Sequence, residues 1–218
     1  MNKEYENYFP NILDRIKTAF PLNNQRFILE DNYKEYSVLI PMINSGHSLN
    51  LLFEKRSSNL STQPSEICFP GGRIEDNETP LEAAIRETSE ELCIPPHEID
   101  ILGKLPTLIT PFGAVIHTYV GTITRIPIEI NKNEVSEIFT VPLAYLFETK
   151  PVKHNVSLHV KSEDDFPYEF VETGKDYKWR SGSYSVYFYF YDKKIIWGIT
   201  AKILTEFIKS CNPSHFVL

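Results

Sequence analysis

The sequence predicts an α+β fold in which one mixed β-sheet is sandwiched between helices, an α/β/α arrangement. Three observations carry that expectation: an amphipathic segment near each end, one strongly capped helix in the middle, and short apolar runs bounded by turn residues between them. The 218 residues suit one well-packed core better than two full domains. No repeat, low-complexity tract or Gly/Ser linker divides them, so a single domain over residues 1–218 is expected.

Taken in order, Ile12, Leu13, Ile16, Ala19 and Phe20 recur at helical spacing before Pro21, which predicts a packing helix over about residues 5–20. The apolar runs Tyr36 to Ile43 and Leu49 to Phe53, joined through Asn44-Ser45-Gly46, read as strand, turn and strand. A helix is predicted from Pro80 to Leu92. Strands are predicted over Ile99 to Leu105, Ala114 to Ile123 and Ile138 to Val141, and a short helix over Pro142 to Phe147 with proline in its first turn. Tyr184 to Tyr191, YSVYFYFY, reads as a strand covered on both faces, with Trp197 also assigned to the core. Ile199, Ile203, Leu204, Phe207 and Ile208 define a C-terminal amphipathic helix over about residues 198–210.

Composition narrows the function. A net charge of −7 is the wrong sign for a nucleic-acid partner, which needs a basic face, but bound divalent cations would reverse the local field for a phosphate-bearing substrate. No apolar run approaches the roughly 18 residues of a membrane span, and the N-terminus lacks the apolar stretch of a secretory signal. Cys68, Cys93 and Cys211 are widely spaced, with neither a disulfide framework nor a zinc motif, so a reducing cytoplasm is expected. The six histidines show no ligand spacing, and no nucleophile, base and orienting residue stand together. Glu163-Asp164-Asp165 reads as an exposed loop.

The central helix is the informative element. Thr79 can cap it, Pro80 suits its first position and Glu82 completes a capping box. Leu81, Ala84, Ile85, Thr88 and Leu92 form the expected inward stripe. At about 100° per residue, Glu87, Glu90 and Glu91 fall within one arc on the other side. Three crowded carboxylates are either a solvated acidic face or a hard-cation site. Spacing favours the cation site. From Gly72, in the tight turn Phe69-Pro70-Gly71-Gly72, five residues lead to Glu78, seven more to Arg86-Glu87, and two more to Glu90-Glu91.

That spacing resembles the Nudix family, whose box reads G-x5-E-x7-R-E-U-x-E-E-x-G-U. Gly72, Glu78, Arg86, Glu87, Glu90, Glu91 and Ile94 stand where it expects them. Thr88 replaces a larger apolar residue, and Cys93 replaces a glycine at a position where the left-handed conformation is usual. The resemblance implies a pyrophosphohydrolase using Mg²⁺ or Mn²⁺. Glu87, Glu90 and Glu91 would hold the cations with a backbone carbonyl of Gly71 or Gly72, and Glu78 would pair with Arg86. The general base stays open between Glu87 and a glutamate of the later loop, Glu134 or Glu137.

Outside the box, Leu51 to Ser57, Phe69 to Gly72, Glu134 to Phe139, Val141 to Leu143 and Ile196 to Ala201 resemble the coenzyme A pyrophosphatase branch. The branch motif reads close to R-S-x-x-L-R-x-H-x-G-E-[VI]-x-F-P-G-G. Arg56, Ser57, Leu60, Glu66, Ile67 and Phe69 to Gly72 fit, whereas Ser61, Gln63 and Ser65 replace its arginine, histidine and glycine. The resemblance implies cleavage of coenzyme A or an acyl-coenzyme A into adenosine 3′,5′-bisphosphate and 4′-phosphopantetheine, with Lys55 and Arg56 as substrate contacts and a possible homodimer. Two other readings remain: a Nudix hydrolase of ADP-ribose, a dinucleotide or another nucleoside diphosphate derivative, and a nucleotide-sensing module without catalysis.

Overall fold

The computed structural model describes residues 27–46 and 48–211, together with Thr18. The helix expected over about residues 5–20 lies outside the described residues apart from Thr18. The chain divides at Tyr33, and the unit that Lys34 opens holds the whole central sheet.

The centre of that sheet is β1 (Lys34–Asn44), a run apolar enough to be covered on both faces. One edge pairs in parallel with β7 (Ala114–Ile123), from Lys34 opposite Ala114 to Met42 opposite Thr122. The other edge is shared. The C-terminal end of β1 pairs antiparallel with β2 (Leu49–Arg56), while its N-terminal part pairs with the three-residue β4 (Gly71–Arg73). The sheet therefore splits between β1 and β2. The split is filled by β3 (Ile67–Cys68) on β2, the turn through Phe69 and Pro70, and β4 on β1. Outer strands complete it: β5 (Ile99–Lys104) and β6 (Leu108–Ile109) on β7, and β8 (Val135–Pro142) on β2.

Strand alternation sends neighbouring residues to opposite faces, and two cores result. Leu39, Ile43 and Leu52 face helix α1 (Pro80–Leu92) with Ala84, Leu92 and Ile94. Ile40, Met42, Leu51 and Phe53 face the other way, against Leu204, Phe207 and Ile208 of the C-terminal helix. That face also carries a short helix, α2 (Leu143–Glu148), and a second sheet of β9 (Val152–His159), β10 (Ser181–Tyr191) and β11 (Lys194–Trp197), which runs directly into α3 (Gly198–Cys211). The sandwich expected from sequence is the one observed.

Two expectations for this region need correction. Strand β10 does not enter the central sheet and is covered mainly on one side. Tyr189 is 1% exposed, but Phe190 is 49% and Trp197 42%, since among the described residues α3 covers one side of this small sheet. Strand β9 carries no burial pattern that the sequence could reveal, because its residues are nearly all exposed. No helix among the described residues is long and apolar enough to cross a membrane.

Candidate active site

The site is built where α1 crosses the split in the sheet. Thr79 caps α1 by accepting the Glu82 N–H, and Glu82 accepts the Thr79 N–H in return, so the helix begins where the sequence places it. The Ser37 hydroxyl of β1 donates to the Pro80 carbonyl and ties the first turn to the sheet. At the other end, Cys93 adopts φ 49°, ψ 42°, the left-handed conformation that the box glycine would take, so the helix exit survives the substitution. Thr88 is buried, and its hydroxyl donates to the Ala84 carbonyl at 2.7 Å, which satisfies the polar group on the inward stripe.

The three glutamates of the helix have three different environments. Glu91, expected on an outward arc, is only 2% exposed. The inward stripe is rotated accordingly, taking in Ala83 and Glu91 while Leu81 stands 36% exposed. Glu91 Oε2 accepts the Gly71 N–H at 2.8 Å, binding the helix to the turn below it. Burial, followed by the charge of Glu54, pushes the Glu91 carboxyl well above the usual carboxylate range. Glu87 is half-buried; burial raises its pKa, against the hydrogen bond from Arg86 at 2.9 Å. Glu90 is directed outward, its side chain 57% exposed and 3.4 Å from Arg86.

Glu87 and Glu91 converge on Glu134. The three offer carboxylate oxygens that all lie within 4.8 Å of one another. Glu134 reaches them because its loop is docked on the helix. The Asn131 N–H donates to the Glu91 carbonyl at 2.9 Å, the Asn131 side chain donates to Glu134 Oε1 at 3.2 Å, and the Ser57 N–H donates to the Glu134 carbonyl. Glu137 is removed from the site, since Lys194 binds it at 2.5 Å on the opposite face of the sheet.

Arg86 organises the rim. Its Nε and Nη2 donate to the two oxygens of Glu78 at 3.0 and 2.7 Å, and Nη1 donates to Glu87. Nη2 also reaches the Arg73 carbonyl, joining β4 to the helix. That bidentate bond, with a second from the Glu75 N–H, holds the Glu78 carboxyl below the usual range. The glycines have a steric reason. A Cβ on Gly72 would lie 2.3 Å from the Glu87 carboxyl carbon, and one on Gly71 would lie 2.3 Å from the Ser37 carbonyl oxygen.

Sequence reasoning missed Glu54. It lies on β2 beside Leu52 and Arg56, is 0% exposed, and accepts a hydrogen bond from the Cys68 thiol at 3.2 Å through Oε1. Burial raises its pKa to about 7, with the charges of Glu134 and Glu87 adding to the effect. Burial likewise pushes the Cys68 thiol up. The available signal was one acidic residue at the inward phase of an otherwise apolar strand, overlooked because it stood beside Lys55 and Arg56. Those two part company. Arg56 lies close enough to weigh on the Glu54 charge and donates to the Thr62 carbonyl, whereas Lys55 lines a cleft with Phe188, Lys194 and Trp197 on the far face.

The NUDIX domain family matches residues 34–160, from the first strand of the sheet through the acidic helix and Glu134 to the end of β9. This chain belongs to the Nudix family. It is a Nudix pyrophosphohydrolase. It is 29% identical over 198 residues to a protein of Escherichia coli named Uncharacterized Nudix hydrolase NudL, covering 90% of this chain and 91% of that one. The protein of the same name from Cronobacter sakazakii is 28% identical over 200 residues, covering 90% and 93%. Among solved structures, a MutT/nudix family protein of Enterococcus faecalis aligns over 97% of this chain and 75% of its own, with a TM-score of 0.49 and 15% identity.

The donor set fits a hard divalent cation: carboxylate oxygens alone, on a rigid helix and a braced loop, with no sulfur or imidazole among them.

Proposed function

We propose that this Nudix hydrolase cleaves the diphosphate of coenzyme A or an acyl-coenzyme A, giving adenosine 3′,5′-bisphosphate and 4′-phosphopantetheine. The observation that carries the hydrolytic part is the convergence of Glu87, Glu91 and Glu134 beneath the Gly71-Gly72 turn. These residues would hold Mg²⁺ or Mn²⁺, with Glu90 as an outer member and a carbonyl of the turn nearby. A bound divalent cation supplies charge neutralisation at the diphosphate and a more acidic water. Glu134 and Glu87 are the candidate bases that would take a proton from such a water. Glu134 is favoured, because Glu87 already accepts from Arg86. Arg86 and Glu78 act as positioning residues, fixing the turn and the Glu87 rotamer.

Support for the coenzyme A branch comes from the segment between Arg56 and Phe69. Ser65 stands in place of the branch glycine and adopts φ 62°, a conformation that glycine takes freely. Ser65 thus holds a backbone suited to the branch glycine. Arg56 remains beside the acidic cluster as a phosphate contact. Lys55, on the other face, would meet only a distal part of the substrate. Ser61 and Gln63 favour a second reading, since the loss of an arginine and a histidine removes two groups that would meet phosphate. In that reading the substrate is ADP-ribose, a dinucleotide or another nucleoside diphosphate derivative. Retention of every box carboxylate argues against a non-catalytic sensor.

The test is turnover with Mg²⁺ and Mn²⁺ against coenzyme A, acetyl-coenzyme A, ADP-ribose, NADH and diadenosine polyphosphates, with products identified by mass. Predominant adenosine 3′,5′-bisphosphate is the expected result. Preferential cleavage of another diphosphate moves the chain to the second reading. No cleavage of any of them, with cation present, overturns the hydrolase assignment for this panel. Sedimentation of the same sample tests the homodimer, and fractionation of cells tests the cytoplasmic location.

A further inference from the structure

We infer that Glu54 is a fourth carboxylate of the cation site, aimed into the cluster by the Cys68 thiol. The inference rests on the cation-dependent reading above and extends it to a strand that the Nudix box does not contain.

Glu54 is wholly buried, yet its Oε2 has no hydrogen-bond partner; it is one of two such buried side-chain atoms among the described residues, with the Tyr184 hydroxyl. Leaving a buried carboxylate oxygen unpaired is costly, and native sites that keep one commonly reserve it for a ligand. Its other oxygen is fixed, because the Cys68 thiol donates to Oε1 from the neighbouring strand, where Glu54 and Cys68 stand in register. Side-chain phase directs the free oxygen. Glu54 shares the face of Leu52, the face covered by α1, and Glu54 exerts the foremost charge effect on Glu91. Glu54 stands outside the group of Glu87, Glu91 and Glu134 whose oxygens lie within 4.8 Å of one another, yet close enough for its charge to act on Glu91, so it would approach the cation from strand β2 beneath that group. A cation there would gain one more oxygen from a group that has no other partner.

The experiment is Mn²⁺ binding by calorimetry and electron paramagnetic resonance on the full chain, with melting in chelator as the folding control. The proteins are wild type, Glu54→Gln, Cys68→Ala, Cys68→Ser and Glu91→Gln. Glu54→Gln is expected to melt no lower than wild type in chelator and to bind Mn²⁺ more weakly by about tenfold or more. Cys68→Ala should weaken binding as well, whereas Cys68→Ser, which keeps a donor, should restore most of it. If Glu54→Gln weakens Mn²⁺ by less than about threefold while Glu91→Gln abolishes binding, the role of Glu54 is wrong and the cation site stands. If Glu91→Gln also binds normally, the cation reading itself fails.

Discussion

The Gly71 N–H and the Glu91 carboxylate, twenty residues apart in the chain, are 2.8 Å apart in the fold. That bond joins the turn in the split sheet to the last turn of the acidic helix, and it fixes one oxygen of Glu91. Glu91→Gln keeps an acceptor for the Gly71 N–H but removes the charge. Turnover should fall by more than about 100-fold, since even partners of ligands cost about 10–100-fold. Melting in chelator should not fall. Steady-state rates together with a melting curve check both halves.

Gly72→Ala tests the steric argument. Its Cβ would overlap the Glu87 carboxyl group at 2.3 Å, and Glu87 is the movable partner. Activity should drop about 100-fold, through a displaced ligand, with a change in Tm of only a few degrees. Unchanged kinetics would show that Glu87 tolerates the shift and that its position is not critical.

Arg86→Lys retains a cation but loses the fork that grips both oxygens of Glu78. The pair is partly exposed, so the stability loss should be about 1 kcal/mol, or about 2–4 °C in a chain of this size. Activity should fall by about tenfold or more, because Glu87 also loses its partner.

Stability of the cation-free protein should depend on pH. The folded-state pKa values of Glu54, Glu87 and Glu91 are raised from 4.5, that of Glu54 to about 7. A raised carboxyl pKa means that the folded state holds its proton more tightly than the unfolded state. The associated stability is therefore fully present below about pH 4.5 and is lost as pH rises toward 7 and beyond. Glu54 by itself accounts for at most about 3 kcal/mol of that loss. Melting in chelator from pH 5 to pH 8 should show a falling Tm (roughly one proton per site) that Glu54→Gln makes shallower and Mn²⁺ largely reverses.

Cys93→Gly should stabilise. Cys93 is exposed and left-handed at φ 49°, a strained state for a residue with a Cβ. Against the extra chain entropy of glycine, a net gain of about 0.5–1 kcal/mol is expected, seen as a rise of about 2–4 °C in Tm.

Much of this was legible from the residues. The helix from Pro80 to Leu92 was readable because its cap, its first-turn proline and its stripe are local signals. Strand β7 was readable because its ten largely apolar residues form a short run bounded by turn residues. The Glu78–Arg86 pair was readable through the resemblance to the Nudix box, not through helical spacing, since Glu78 precedes the Thr79 cap. The role of the loop was only half readable, because Glu134 and Glu137 are equivalent in composition. The docking of Asn131 on the Glu91 carbonyl brings one into the site, and Lys194 holds the other on the far face.

By itself, then, the sequence pointed to the family, the acidic helix, the tight turn before it and the carboxylate spacing expected of a hard-cation site, since each depends on residues near one another in the chain. Only the tertiary structure decided which carboxylates meet. It buried Glu91, turned Glu90 outward, drew in Glu134 from a distant loop and buried Glu54 on the strand beneath. The physical reason is that convergence depends on the split between β1 and β2 and on which face of each strand α1 covers. Those are set by long-range pairing and packing, which no local pattern records.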